Sequence, residues 1–117
     1  MKFYITRHGE TLFNVLQRSQ GWCDTPLTQK GTADIRILAN GLRNINFIFV
    51  YSSDSGRAVE TARLILDANQ YPVELNQDSR LREWCFGSLE GIPNKEFTQA
   101  ILQELGVGIG MKELNGG

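Results

Sequence analysis

A single histidine stands in this 117-residue chain, within Ile5-Thr6-Arg7-His8-Gly9-Glu10-Thr11, between an arginine and a glycine. Two more groups complete a candidate constellation: Arg57, one turn beyond Ser52-Ser53-Asp54, and Glu83, next to Arg82. Two guanidinium groups, Arg7 and Arg57, converging on one imidazole suit a dianionic phosphoryl group. Their forked donors match its oxygens and stabilise the charge that develops on them. Flanking arginines disfavour the imidazolium form, and a neutral His8 can attack phosphorus to give a phosphohistidine. Glu83, placed opposite, could protonate the leaving alkoxide and then activate water. Asn14 and Gln20 lie in the loop after His8, within reach of the same spot. Taken singly, each residue has a plainer reading: a structural histidine, a solvated arginine, a surface Arg82–Glu83 pair worth little.

In open α/β sheets such residues gather beyond the carboxyl ends of the strands. Phe3-Tyr4-Ile5-Thr6 is aromatic and β-branched and reads as a short buried strand, with Arg7 and His8 at its carboxyl end. A loop with a short helix around Thr11 to Leu16 follows. Thr28 can N-cap an amphipathic helix whose apolar stripe is Ala33, Ile37, Leu38 and Leu42. Phe47-Ile48-Phe49-Val50-Tyr51 is a continuous apolar run, as expected of a parallel strand covered on both faces. A polar elbow then delivers Arg57 on a helix running to about Asn69, with Ala58, Ala62, Ile65 and Leu66 facing the core. Tyr71–Leu75 reads as a third strand, with Pro72 marking an edge or a start. The irregular stretch 76–92 carries Arg80, Arg82 and Glu83. Pro93 opens a last helix with Phe97, Ile101 and Leu105 on one face. This alternation predicts an α/β fold, a mainly parallel sheet with flanking helices. One domain is expected over residues 1–105, with a loose Gly-rich tail at 106–117.

A formal net charge of −1 offers no footprint for nucleic acid or an anionic membrane surface. No window approaches the roughly 18 apolar residues of a membrane span, and no signal-peptide core follows Lys2. A cytoplasmic protein is expected. Cys23 and Cys85 lack CxxC spacing and, with one histidine, make no metal ligand set.

Four ordered stretches resemble the histidine phosphatase family, the phosphoglycerate-mutase-like proteins. They are Arg7-His8-Gly9-Glu10-Thr11 with Asn14; Gly21-Trp22-Cys23-Asp24-Thr25-Pro26-Leu27-Thr28 with Gly31; Ser52-Ser53-Asp54 with Arg57-Ala58 and Thr61-Ala62; and Leu81-Arg82-Glu83 with Phe86-Gly87 and Glu90-Gly91. The resemblance implies a phosphorylated nucleophile at His8, phosphate held by Arg7 and Arg57 with support from Asn14, and a proton donor at Glu83. Gln20 and Gly21 fall where mutase-like relatives contact substrate. It implies a small-molecule phosphoester as partner and no metal or cofactor.

The family's pocket also uses a second histidine on a later strand beside the first, and this chain has no counterpart. The chain is therefore expected to be the N-terminal part of such a protein, incomplete at the C-terminus and weak or inactive alone. An exposed sheet edge would then favour a homo-oligomer. Leu81-Arg82-Glu83-Trp84-Cys85-Phe86-Gly87 departs from the mutase pattern Leu-Asn-Glu-Arg-His-Tyr-Gly, which favours phosphomonoester hydrolysis. A mutase-type isomerase and a non-catalytic phosphate-binding or assembly fragment stand as alternatives.

Overall fold

The computed structural model describes residues 1–104. Its centre is a pair of helices, α2 (Gln29–Leu42) and α3 (Gly56–Ala68). Thr28 caps α2 as its residue type predicts, its hydroxyl accepting from the Gly31 N–H at 3.0 Å. Each helix buries residues four apart: Gly31, Ile35 and Ala39 on α2, and Arg57, Thr61 and Ile65 on α3. Ile35, Ala39 and Ile65 form the small core, flanked by Leu38, Leu42 and Leu64. The expected stripe on α2 is thus rotated, for Ala33 is exposed and Ile37 is 73% exposed. A spacing of four fits either face, and the choice is made by tertiary contact. The backbone of Glu10 lies so close to α2 that a Cβ on Gly31 would come within 2.3 Å of the Glu10 carbonyl oxygen. Only glycine allows that approach.

Strands β1 (Val50–Ser52) and β2 (Leu75–Gln77) pair in parallel across α3, with Val50 opposite Leu75 and Ser52 opposite Gln77. An α/β fold with a small parallel sheet and flanking helices is thereby present. Both strands are shorter and later than their apolar runs suggested. Ile48 and Phe49 lie outside β1 and are 80% and 71% exposed, so this run is not covered on both faces.

The largest departure concerns the first segment. Phe3–Thr6 forms no strand; Phe3 is 81% and Ile5 94% exposed. Aromatic and β-branched residues favour a pleated, half-buried surface, but a strand also needs a ladder partner. No segment among the described residues supplies one. Tyr4 meets the Phe47 ring edge-on, at 5.5 Å between centroids.

Hydrogen bonds to distant segments begin immediately after His8. The Gly9 N–H donates to Thr61 Oγ1 (3.0 Å), the Thr28 N–H donates to the Glu10 carbonyl (2.9 Å), and Thr11 bridges to Leu27. Thr11 then caps the short helix α1 (Leu12–Val15) in a reciprocal capping box with Asn14. The last helix, α4 (Asn94–Glu104), starts just after Pro93 and packs Phe97 edge-on against Phe86. Leu105 and the Gly-rich stretch 106–117 lie outside the described residues. No helix among the described residues is long and apolar enough to cross a membrane.

Candidate active site

His8 is half-buried at the junction between the unpaired first segment and the anchored Gly9–Thr11 stretch. Its Nδ1 lies 2.7 Å from the Gly9 carbonyl oxygen. A carbonyl can only accept, so Nδ1 carries the proton and the lone pair sits on Nε2. Burial lowers the histidine's basicity below the ordinary 6.5, and the charges of Arg57 and Arg7 push the same way against the Gly9 carbonyl and Asp24. These effects favour the neutral ring at neutral pH, with its lone pair on Nε2. Arg7 itself is exposed.

Arg57 is 4% exposed, in the first turn of α3. Its guanidinium donates to the Gly21 carbonyl (Nη2, 2.7 Å), the Cys23 carbonyl (Nη1, 2.9 Å) and Asp24 Oδ1 (Nη1, 3.1 Å). The Gln20 carboxamide is best satisfied with its nitrogen donating to Thr11 Oγ1 (2.8 Å). Its oxygen then accepts from the Thr25 N–H (2.9 Å) and Arg57 Nη1 (3.3 Å). Gln20 and Gly21, read from the sequence as substrate contacts, are thus placed as holders of Arg57. Asn14 engages its side-chain oxygen with the Thr11 N–H (3.0 Å), so its NH2 group is the end able to meet a ligand.

Glu83 is exposed and lines a cleft of about 320 Å³ together with Gly21, Trp22, Asp24, Asp54, Ser55, Gly56 and Arg82. His8 is not among the lining residues; Asp24, which lines the cleft and acts on His8 by charge, links the two. The Glu83 carbonyl accepts from the Trp22 indole N–H (2.9 Å). Arg82 does not pair with Glu83. It grips Asp54 with two donors (2.6 and 2.5 Å) and lies 4.9 Å above the Trp22 ring. Arg80 pairs with Asp78, outside the cleft.

Three residues essential to this geometry had no role in the sequence reading. Asp24 bridges to Arg57 and accepts from its backbone N–H (3.2 Å), satisfying the start of α3, where Ser55 makes no side-chain cap. Thr61 accepts from Gly9 and donates to the Arg57 carbonyl (2.8 Å), tying the histidine segment to the arginine. Glu90 collects the backbone N–H groups of Gly21, Trp22, Cys23 and Phe86. Their only signal was membership of the ordered motif stretches. Burial pushes the Cys23 thiol up to about 11, which keeps it protonated and a poor nucleophile. Among the described residues no three His, Cys, Asp or Glu side chains cluster as a metal site.

Residues 3–110 match the profile of the Histidine phosphatase superfamily (branch 1). The chain belongs to that superfamily. A Yersinia pestis (strain Pestoides F) protein named "Probable phosphoglycerate mutase GpmB" is 40% identical over 98 residues, covering 84% of this chain and 45% of that protein. The crystal structure of phosphoglycerate mutase from Bacillus anthracis str. Sterne superposes with a TM-score of 0.83 at 45% identity, over 89% of this chain and 46% of that one. Phosphoserine phosphatase from Entamoeba histolytica, in complex with 3-phosphoglyceric acid, gives 0.67 at 33% identity, over 78% of this chain and 44% of that one. The chain therefore spans about half the length of these relatives, and both mutases and phosphatases stand among them.

Proposed function

We propose that this histidine phosphatase chain carries a phosphoryl-accepting site for small phosphomonoesters, with phosphohistidine formed on His8. The observation that carries the reading is the His8 Nδ1 at 2.7 Å from the Gly9 carbonyl oxygen, which leaves the lone pair on Nε2; burial and the charges of Arg57 and Arg7 favour the neutral ring. Nε2 attacks phosphorus as the ester P–O bond breaks, and the departing electron pair goes to the alkoxide, which takes a proton from Glu83. Water, deprotonated by the Glu83 carboxylate, then attacks the phosphohistidine, releasing phosphate and restoring the imidazole. Arg7 and Arg57 offset the phosphoryl charge throughout, and Asn14 supports it.

Turnover by this chain alone is slow or absent. Arg7 and His8 follow an unpaired segment, so one side of the cradle is poorly preorganised, and rate depends steeply on such placement. Orthophosphate titrated into the protein is expected to shift the His8 ring signals in NMR spectra, with the shift lost in Arg57→Ala. Free phosphate should form from p-nitrophenyl phosphate at trace rates that His8→Ala abolishes. A folded chain whose His8 signals ignore orthophosphate would sink the reading.

A second reading is a mutase-type transfer, favoured by the names of two relatives at 40% and 45% identity. The Trp84-Cys85 departure from the mutase pattern favours hydrolysis. Interconversion of 2- and 3-phosphoglycerate without release of phosphate would reverse that order.

A further inference from the structure

We infer that Glu90 is a positioning residue that sets the orientation of the Arg57 guanidinium through the backbone of Gly21, Trp22 and Cys23. The inference rests on reading Arg57 as a phosphate holder. It starts from a four-donor carboxylate: Glu90 accepts from the N–H groups of Gly21 (3.1 Å), Trp22 (2.7 Å), Cys23 (3.2 Å) and Phe86 (3.2 Å). Three of these donors are consecutive. The carbonyls of two of the same residues, Gly21 and Cys23, accept from Arg57. A rigid peptide plane joins each carbonyl to the next residue's N–H, so the Trp22 N–H held by Glu90 fixes the direction of the Gly21 carbonyl, while the Cys23 carbonyl belongs to a residue whose own N–H is held. Glu90 thus acts on the guanidinium through the loop backbone that both of them bind.

The carboxylate is itself anchored. Ser19 ties down the backbone around it: its N–H donates to Ile92 (2.8 Å), its hydroxyl to Leu89 (2.5 Å), and its carbonyl accepts from Gly91 (3.0 Å). Gly21 leaves no slack in the other direction, since a Cβ there would come within 2.0 Å of the Trp84 carbonyl and 2.5 Å of Glu90 Oε1. Charge matters as well as shape. Four donors need two acceptor oxygens, and a glutamine would turn an NH2 group against some of them. Burial alone would raise the Glu90 carboxyl, but donors from Cys23, Gly21, Phe86 and Trp22 outweigh it and hold the group at about 2.

The test is Glu90→Gln, read by NMR on the whole chain without ligand and with inorganic phosphate. The Arg57 Nη signals, distinct in the wild type because the group is held by its carbonyl partners, are expected to coalesce in the variant. The Arg80 guanidinium, paired with Asp78 outside the cleft, should keep its pattern. Orthophosphate affinity should fall roughly tenfold, the scale of one charge-assisted hydrogen bond. If Glu90→Gln does not fold, Glu90→Asp, one methylene short, is read in the same way. Unaltered Arg57 signals in a folded variant whose Gly21–Cys23 amides have moved would overturn the inference. A wild type that ignores orthophosphate would count against the phosphoryl reading, while the Arg57 signals would still decide the role of Glu90.

Discussion

Thr61→Val isolates the link between the two halves of the site. The substitution keeps the side-chain shape while removing a hydroxyl that accepts from the Gly9 N–H at 3.0 Å and donates to the Arg57 carbonyl at 2.8 Å. The carbonyl retains its place in the helix, but the Gly9 N–H, in a buried residue, loses its acceptor. An orphaned buried donor costs about 1–3 kcal/mol, so a loss of about 2 kcal/mol is expected. For a domain of this size that corresponds to a fall in melting temperature on the order of 10 °C. Urea denaturation is the assay, with an unchanged slope confirming that the midpoint shift reports stability. Thr61→Ser, which keeps the hydroxyl and drops one methyl group, should lose only about 1 kcal/mol. Because Gly9 follows His8 directly, the valine variant should also shift the His8 ring signals, and the serine variant should not. A valine variant within about 0.5 kcal/mol of wild type would refute the account of this contact.

Three further outcomes are expected. His8, the sole histidine, should titrate in NMR spectra with a midpoint below 6.5, since burial and the two arginines favour the neutral ring; a midpoint at or above 6.5 would contradict that electrostatic reading. Glu90, lowered from an ordinary 4.5 to about 2, should stabilise the fold fully above about pH 4.5, and the effect should be lost as pH falls through the folded value. Discounted for partial exposure, this amounts to roughly 2 kcal/mol, so the urea-midpoint gap between wild type and Glu90→Gln should narrow from pH 7 to pH 3. The open Phe3, Ile5, Ile48 and Phe49 side chains should promote self-association, seen as a light-scattering mass that rises with concentration and falls on Phe3→Ser/Ile5→Ser; a monomer throughout would count against it.

Local chemistry made much of this fold legible. Thr28 capped its helix, Pro93 preceded the last one, and the Ser52–Asp54 elbow led into the helix that carries Arg57. What the sequence hid was tertiary choice. Positions 33 and 37 and positions 31, 35 and 39 of α2 obey the same spacing, and the approach of Glu10 to Gly31 selected the second set. Phe3–Thr6 had strand-forming residues, yet pairing is a property of two segments. At the site, residue types pointed to His8, Arg7, Arg57 and Glu83 because each carries chemistry. Asp24, Thr61 and Glu90 act through hydrogen bonds to residues 33, 52 and 67–69 positions away, and no local pattern announces those.

The central claim is that His8 accepts a phosphoryl group on Nε2. Prolonged incubation of the protein with p-nitrophenyl phosphate, followed by ³¹P and ¹H–¹⁵N NMR at alkaline pH, tests it most directly. The hydrogen bond between Nδ1 and the Gly9 carbonyl predicts a slowly formed phosphohistidine bonded through Nε2 alone, absent from His8→Ala. A phosphoryl group on Nδ1, or none on His8 while phosphate is still released, would contradict the account.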